Sequence, residues 1–296
     1  MSNQISTLSN KSIAIIGLGA VGSITAKLLS HTEIKLLLID HDIVQESNLQ
    51  RQPMYDKSDV NKLKCEALCK KLKSAEVFPM PIHIDSETIK KVHADIILDC
   101  TDNIETRLVI NEYCKKNNIS WIHTAAAGSI GVVIPFTGDY CFRCVYGNAS
   151  KGLTCDNSGI LNTTSERVAQ IQVDEALKII TGKPSTKGMI RFNGDETKIL
   201  TIKKKECTHV QEKNTTQFTL SKCTTRAGYS AKPAKNMKLN LSQIKKKFNT
   251  LIETPIVLVI NEDGMEVIVH EYGELLFKDA TDETKMQKLA QRIYAR

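Results

Sequence analysis

The sequence predicts a doubly wound α/β sheet with helices on both faces, and three observations predict it. The short apolar run Ile13 to Ile16 leads into Gly17-x-Gly19-x-x-Gly22, a turn whose glycines let backbone N–H groups approach phosphates at the start of a helix. Brief buried-strand patterns alternate with helical apolar spacing from residue 12 to residue 136. An acid, Asp40, ends the second apolar strand, where a nucleotide's ribose hydroxyls would be met.

The elements follow in order. A strand over 12–16 leads into a helix over about 20–30 and a strand over 35–39. Leu63, Ala67, Leu68 and Leu72 recur at helical spacing and predict a helix over about 60–73. Val77 to Ile84 reads as a strand interrupted by Pro79 and Pro81, hence one at a sheet edge. Asp95 to Asp99 is a short buried strand, Glu105 to Lys116 an amphipathic helix and Ser120 to Thr124 the next strand. Ile130 to Phe136 continues the sheet. From Asp139 to about 163 the composition turns to Gly, Asn, Ser and Cys, which predicts a loop-rich region. Val168, Ala169, Ile171, Ala176, Leu177 and Ile180 then mark a helix ending at Gly182, with Pro184 beyond it. Residues 1–210 therefore form one α/β domain. The polar, basic stretch 211–238 reads as a linker or crossover, and 239–296 as a small α+β module. That module holds a helix, a strand over 256–260, an Asp263-Gly264 turn, strands near 266–270 and 274–277, and a last helix from Glu283.

Composition bounds the class. In 296 residues, 41% hydrophobic and 25% charged is ordinary for a soluble globular protein. There is no apolar run long enough to span a bilayer and no signal-peptide core, so a cytoplasmic protein without a membrane partner is expected. In a reducing compartment the nine cysteines point to metal or catalytic thiols rather than disulfides. The net charge of +7 is uneven: residues 201–250 carry twelve Lys and Arg against two Glu. That is a solvated basic face or a dock for an acidic protein or a polynucleotide, and sequence leaves both open.

The segment Ser47-Asn48-Leu49-Gln50-Arg51-Gln52 separates two nucleotide chemistries. A hydride-transfer enzyme has no need of an arginine so soon after its ribose acid, whereas an enzyme handling a triphosphate does. Together with the glycine turn, Asp40, Lys64 and Asp99-Cys-Thr-Asp-Asn103, this segment resembles, in order and spacing, the ThiF/MoeB/HesA family of the ubiquitin-activating-enzyme (E1-like) superfamily. The resemblance continues through Cys141-Phe-Arg-Cys144 and Gly152-Leu-Thr-Cys155 and covers roughly residues 11–210.

The resemblance implies a Rossmann-like fold and an ATP- and Mg2+-dependent adenylyltransferase. Its partner would be a small ubiquitin-like or sulfur-carrier protein ending in Gly-Gly, and the chain itself would be a homodimer. Gly17, Gly19 and Gly22 would shape the nucleotide turn and Asp40 would hold the ribose. Asn48, Arg51 and Lys64 would face the phosphates, and Asp102 would orient Mg2+ with Asn103 close by. Arg51, Asp102 and Cys155 are the catalytic candidates. The family's usual N-terminal arginine has no counterpart in the short stretch before the first strand, so another group would supply that charge or the pyrophosphate would be neutralised differently.

Cys141 and Cys144 are half of a tetrahedral zinc site. The family closes it with a second Cys-x-x-Cys, but here the corresponding place reads Cys207-Thr-His209-Val210. The expectation is a structural Zn2+ on Cys141, Cys144 and Cys207, with His209, Cys223 or water as the fourth ligand; the alternative is a degenerate site whose thiols only pack. Cys155 matches the cysteine that in many relatives accepts the activated carrier; a dispensable loop thiol and a zinc ligand remain the other readings. The run Thr163-Thr-Ser165 could cap a helix near it. Cys65, Cys69, Cys100 and Cys114 are expected to pack in the core, and His123 to be a satisfied core histidine.

Competing functions are a tRNA-base-adenylating dehydratase, using the basic segment 201–250 on RNA backbone, and an NAD-dependent oxidoreductase built on the glycine turn. The second leaves Arg51, Lys64 and Asp102 unexplained. A non-enzymatic partner subunit is a third, opposed by the retained nucleotide-site residues.

Overall fold

Strand β1 (Ser12–Ile16) is apolar at consecutive positions because both of its faces are covered: Ile13, Ala14 and Ile15 are fully buried. It is flanked by β2 (Lys35–Ile39) on one side and β4 (Ile96–Asp99) on the other, both parallel to it. With β3 (Val77–Met80), β5 (Ser120–Ala127), β6 (Ile130–Phe136), β7 (Met189–Asn193) and β8 (Glu196–Leu200) they form an eight-stranded sheet in the order β3-β2-β1-β4-β5-β6-β7-β8. β3 through β5 are parallel. The two-residue turn Gly128-Ser129, with Gly128 at φ +55, reverses the chain after β5, and β6 to β8 continue antiparallel.

The computed structural model describes residues 8–72, 76–147, 159–202, 218–223, 228–233, 237–278 and 281–294, without the side chains of 218, 219 and 223. The chain falls into two compact units, Met1–His209 and Val210–Arg296. In the first unit, helix α1 (Ala20–Leu29) follows β1, α2 (Lys64–Lys71) precedes β3, and α3 (Ile104–Asn117) lies between β4 and β5. The one-turn α4 (Phe142–Tyr146) follows β6, and α5 (Asn162–Ile180) precedes β7. Alternate strand residues Ala14, Ile16, Leu37, Ile39 and Ile97 pack with Ile110 and Cys114 of α3 and with Trp121. Residues of opposite parity face the other side, where α1 and α5 lie against each other and α5 also covers β5 and β6. Helices therefore cover both faces, as the alternating pattern predicts.

Several boundaries differ from the sequence reading. The strand expected over 77–84 stops at Met80, because Pro79 and Pro81 offer no N–H for a continuing ladder; it is at the sheet edge. The helix expected from about 60 starts at Lys64, since Lys57–Asp59 forms a separate 3-10 turn capped by Asp56. The loop-rich region after Asp139 includes α4. β8 is exposed at every position and β7 only half-buried in alternation, so neither carried enough apolar signal to be read. The basic stretch 211–238, read as a linker, contributes β9 (Phe218–Cys223) and β10 (Gly228–Pro233) to the second unit.

That unit also holds α6 (Leu241–Lys247), β11 (Asn249–Glu253), β12 (Val257–Glu262), β13 (Met265–His270), β14 (Leu275–Lys278) and α7 (Glu283–Tyr294). Its six strands run in the order β11-β12-β13-β14-β10-β9, and neighbours are antiparallel. β12 and β13 are joined at Asp263-Gly264, both at positive φ (51° and 78°), the conformation that a twisted two-residue hairpin requires. Leu258, Ile260, Val267, Val269 and Phe277 of the sheet pack with Ile244 of α6 and Met286, Leu289 and Ile293 of α7. Among the described residues no helix is long and apolar enough to cross a membrane.

Candidate active site

β1 lies between β2 and β4, so the chain leaves β1 in one direction and returns to β4 on its other side. This reversal opens a crevice at the carboxyl ends of β1 and β4, the place where open parallel sheets accept ligands. Two of the three glycines there serve packing. Gly17 has φ +86, and a Cβ on it would lie 2.8 Å from the carbonyl oxygen of Cys100. A Cβ on Gly22 would lie 1.9 Å from the carbonyl oxygen of Gly17. Gly19 is different: its nearest neighbour would be Gln52 Nε2 at 3.8 Å. It stands at the N-cap of α1 with no side chain capping the helix. The result is open ground in front of the first-turn backbone N–H groups of α1, which no side chain caps, a setting suited to an anion.

Asp40 is buried, and its carboxylate accepts the N–H of Leu18 (2.7 Å) and of Asp42 (2.8 Å). It braces the glycine turn against the end of β2, and only its remaining lone pairs are left for a sugar hydroxyl. Tyr55 backs the same turn by donating its hydroxyl to Leu18 O at 2.9 Å. Burial first, then the charge of Asp40, pushes that hydroxyl's pKa well above the ordinary tyrosine range.

Asn48 is buried in the 3-10 turn Glu46–Asn48, where its Oδ1 accepts the N–H of Gln45 at 3.2 Å. Arg51 follows, half-buried, its backbone N–H bonded to Asn48 O at 3.0 Å. Lys64 is the first residue of α2, buried, with Nζ 3.2 Å from Asp42 Oδ2. A cation at a helix N-terminus opposes the helix dipole, so the Asp42 carboxylate holds it there. Asp102 is exposed just beyond β4. Asn103 is the N-cap of α3, its Oδ1 accepting the Thr106 N–H at 2.8 Å. Its oxygen is thus committed to the helix, which narrows the part expected of it beside Asp102.

The remaining sequence candidates divide. His123 is 1% exposed with Nδ1 2.8 Å from Asp99 Oδ2, a satisfied core histidine. Cys65 and Cys114 are buried, and burial pushes the Cys65 thiol up to about 12. Cys100 is raised likewise to about 12, and its Sγ lies 3.2 Å from Gln172 Oε1. Cys69 lies at partial burial with Sγ 3.4 Å from Val77 O. The run Thr163 to Ser165 lies inside α5, whose N-cap is Leu161. Thr164 Oγ1 instead donates to Gly128 O at 2.8 Å. Cys141 and Cys144 are brought together by one turn of α4, with sulfurs 3.4 Å apart, the convergence a shared metal ion requires. Cys155, Cys207 and His209 lie outside the described residues, as does the side chain of Cys223.

The sequence reading singled out neither Gln52, Arg107 nor Gln172. Gln52 is buried beside the glycine turn, and its Oε1 has no hydrogen-bond partner among the described residues. Gln172 is fully buried on α5, where Oε1 accepts the Thr25 hydroxyl at 3.0 Å and Nε2 lies 3.4 Å from Asp99 O. Gln52 sits inside the recognised motif, so its position was a signal. Gln172 is far away in sequence and had none.

The buried histidine predicts a pH effect. Burial, then the neighbouring Arg107 charge, lowers the His123 pKa against the opposing pull of Asp99. The unfolded chain, with a histidine pKa of about 6.5, then takes up the proton first. The stability tied to neutral His123 is therefore present above that value and lost as the pH falls below it. Denaturant midpoints measured between pH 7.5 and pH 5.5 should drop more steeply for wild type than for His123→Gln.

Residues 2–215 match the ThiF family, over a span that contains the whole crevice. The chain belongs to the ThiF family. Among curated ThiF-type relatives, the sulfur carrier protein ThiS adenylyltransferase of Bacillus subtilis (strain 168) is 35% identical over 182 residues, covering 57% of this chain and 54% of that one. The chain thus spans about half the length of that relative. The ThiS adenylyltransferase of Escherichia coli (strain K12) is 30% identical over 199 residues, covering 63% of this chain and 79% of that one. The fold is that of E. coli MccB, solved with ATP. The two share a TM-score of 0.60 at 23% identity, covering 69% of this chain and 67% of MccB.

Proposed function

We propose that this ThiF-family chain uses ATP to adenylate the C-terminal glycine of a small ubiquitin-like or sulfur-carrier protein. One observation carries the reading: the open N-terminus of α1 at Gly19, the buried Lys64 and the exposed Asp102 all belong to segments leaving one end of the sheet. The names of the ThiS adenylyltransferase relatives support it. In the reaction a carboxylate oxygen of the carrier bonds to the α-phosphorus, the bond to the bridging oxygen breaks, and pyrophosphate leaves with the electron pair. The product is an acyl-adenylate.

Two anions must meet for this, so the chain's task is positioning and charge. The triphosphate fits the ground at Gly19, where a side chain would intrude. Arg51, able to grip two phosphate oxygens with its planar fork, and Lys64, a point charge, serve the leaving pyrophosphate, with Asn48 beside them. Asp40 takes the ribose through its remaining lone pairs. Asp102, a carboxylate at the mouth, suits Mg2+, which takes one or two protein carboxylates and fills its shell with phosphate and water oxygens. When bound, Mg2+ would neutralise phosphate charge. The Cys141–Cys144 pair suits Zn2+ as a structural clip, with Cys207 as a further ligand. Transfer of the activated carrier to Cys155, and a homodimer, complete the proposal.

The test is ATP–pyrophosphate exchange with a panel of Gly-Gly-ending small proteins, on wild type, Asp102→Ala and Cys155→Ala. Exchange should require a carrier, fall about a hundredfold or more in Asp102→Ala, and persist in Cys155→Ala, which acts after adenylation. Tight ATP binding with no exchange for any carrier would overturn the reading.

A further inference from the structure

Behind the exposed Asp102 lies a set of buried charges that neither core packing nor the nucleotide contacts explain. Asp99 is fully buried at the end of β4. Its Oδ1 accepts both the backbone N–H of Thr101 (3.0 Å) and the Thr101 hydroxyl (2.6 Å). Its Oδ2 meets His123 Nδ1 at 2.8 Å and Arg107 Nε at 3.5 Å, the latter as an ion pair rather than a hydrogen bond. Arg107, itself buried, reaches back from the first turns of α3. Its Nη2 donates to Thr101 O at 2.5 Å and lies 3.5 Å from Thr124 O.

The three polar groups of Thr101 are therefore all fixed from behind: N–H and hydroxyl by Asp99, carbonyl by Arg107. The next residue is Asp102, exposed just beyond the end of β4. Burying an ion pair costs desolvation that a well-packed apolar core would avoid, so folding alone does not call for one here. A requirement to hold one particular peptide in one orientation does.

We propose that Arg107, acting with Asp99 and His123, is a positioning unit that aims the Asp102 carboxylate at a divalent cation. The inference rests on the proposed reading that Asp102 binds the metal of the nucleotide complex. Arg107 does not touch the metal. Its fork fixes Thr101 O, Asp99 fixes the other side of the same residue, and His123 keeps the Asp99 carboxylate turned toward Thr101. Lysine at 107 would keep the charge but not the fork, and so recover only part of the effect.

The experiment is a Mn2+ titration followed by electron paramagnetic resonance, in the presence of a non-hydrolysable ATP analogue. The proteins are full-length wild type, Asp102→Ala, Arg107→Gln, Arg107→Lys and Thr101→Val, each with its thermal unfolding recorded. Removal of a residue that orients a metal ligand weakens metal affinity by roughly 10- to 100-fold. Half-saturating Mn2+ should rise by about tenfold or more in Arg107→Gln and less in Arg107→Lys. It should also rise in Thr101→Val, which removes a single hydroxyl, while metal-free binding of the analogue stays close to wild type. If Arg107→Gln does not fold, Thr101→Val and Arg107→Lys decide. Wild-type Mn2+ affinity in the folded variants, with Asp102→Ala strongly weakened, overturns the positioning role and leaves the metal reading intact. Unchanged Mn2+ affinity in Asp102→Ala overturns the metal reading itself, and the positioning role with it.

Discussion

Gly22→Ala should cost the protein much of its stability, and Gly19→Ala should cost it affinity for its nucleotide. The new methyl at 22 would stand 1.9 Å from Gly17 O and 3.0 Å from Cys100 Cβ, so backbone at the carboxyl ends of two central strands must move. Overpacking of side chains costs about 1–3 kcal/mol, and a clash with fixed main chain belongs at or beyond the top of that range. At Gly19 the same methyl meets nothing closer than Gln52 Nε2 at 3.8 Å, so the fold should tolerate it. It would nonetheless fill the ground in front of the α1 N-terminus. Denaturant unfolding together with ATP binding by calorimetry separates the two. Gly22→Ala should lose about 3 kcal/mol or more of stability. Gly19→Ala should unfold near the wild-type midpoint yet bind ATP about tenfold more weakly or worse, equivalent to some 1.4 kcal/mol of lost binding. Normal ATP affinity in Gly19→Ala would remove this turn from the nucleotide site.

Lys64→Met should damage both stability and nucleotide binding, and a second substitution should restore only the first. Lys64 Nζ lies 3.2 Å from Asp42 Oδ2 with both side chains largely buried. Removing one partner of such a pair leaves an uncompensated charge and costs about 3–5 kcal/mol. Asp42→Asn combined with Lys64→Met removes both charges and should recover most of the stability. ATP affinity should stay low in the double variant, because the phosphates would still lack the lysine. Recovery of both properties would make Lys64 a structural residue only.

Much of this was legible in the chain. The glycine spacing, the acid closing β2 and the Asp99 to Asn103 segment are local patterns, and each fixes a turn or strand end within a few residues of itself. The β1-to-β6 alternation was readable for the same reason: strands covered on both faces must be apolar at consecutive positions, as Ile13 to Ile16 are. β8 gave no signal because an edge strand exposed at every position needs no apolar residues in alternation. The basic stretch holding β9 and β10 looks like a linker in sequence because its polar, lysine-rich composition hides strands whose partners, β14 and each other, come from the folded unit.

Which element types form, and which residue kinds gather near a nucleotide, follow from covalent neighbours: a glycine turn, a capping asparagine, an arginine close behind an acid. The tasks those residues perform depend on distant ones. Gly17 and Gly22 are packing glycines because β4 returns beside β1, Asp40 braces Leu18, and Asn103 caps α3. Asp99 meets His123 across neighbouring strands, and Gln172 reaches Asp99 from a helix 73 residues further along the chain. Burial and hydrogen bonding are properties of the folded whole. Only the tertiary structure could distinguish a residue that holds the site together from one left facing the ligand.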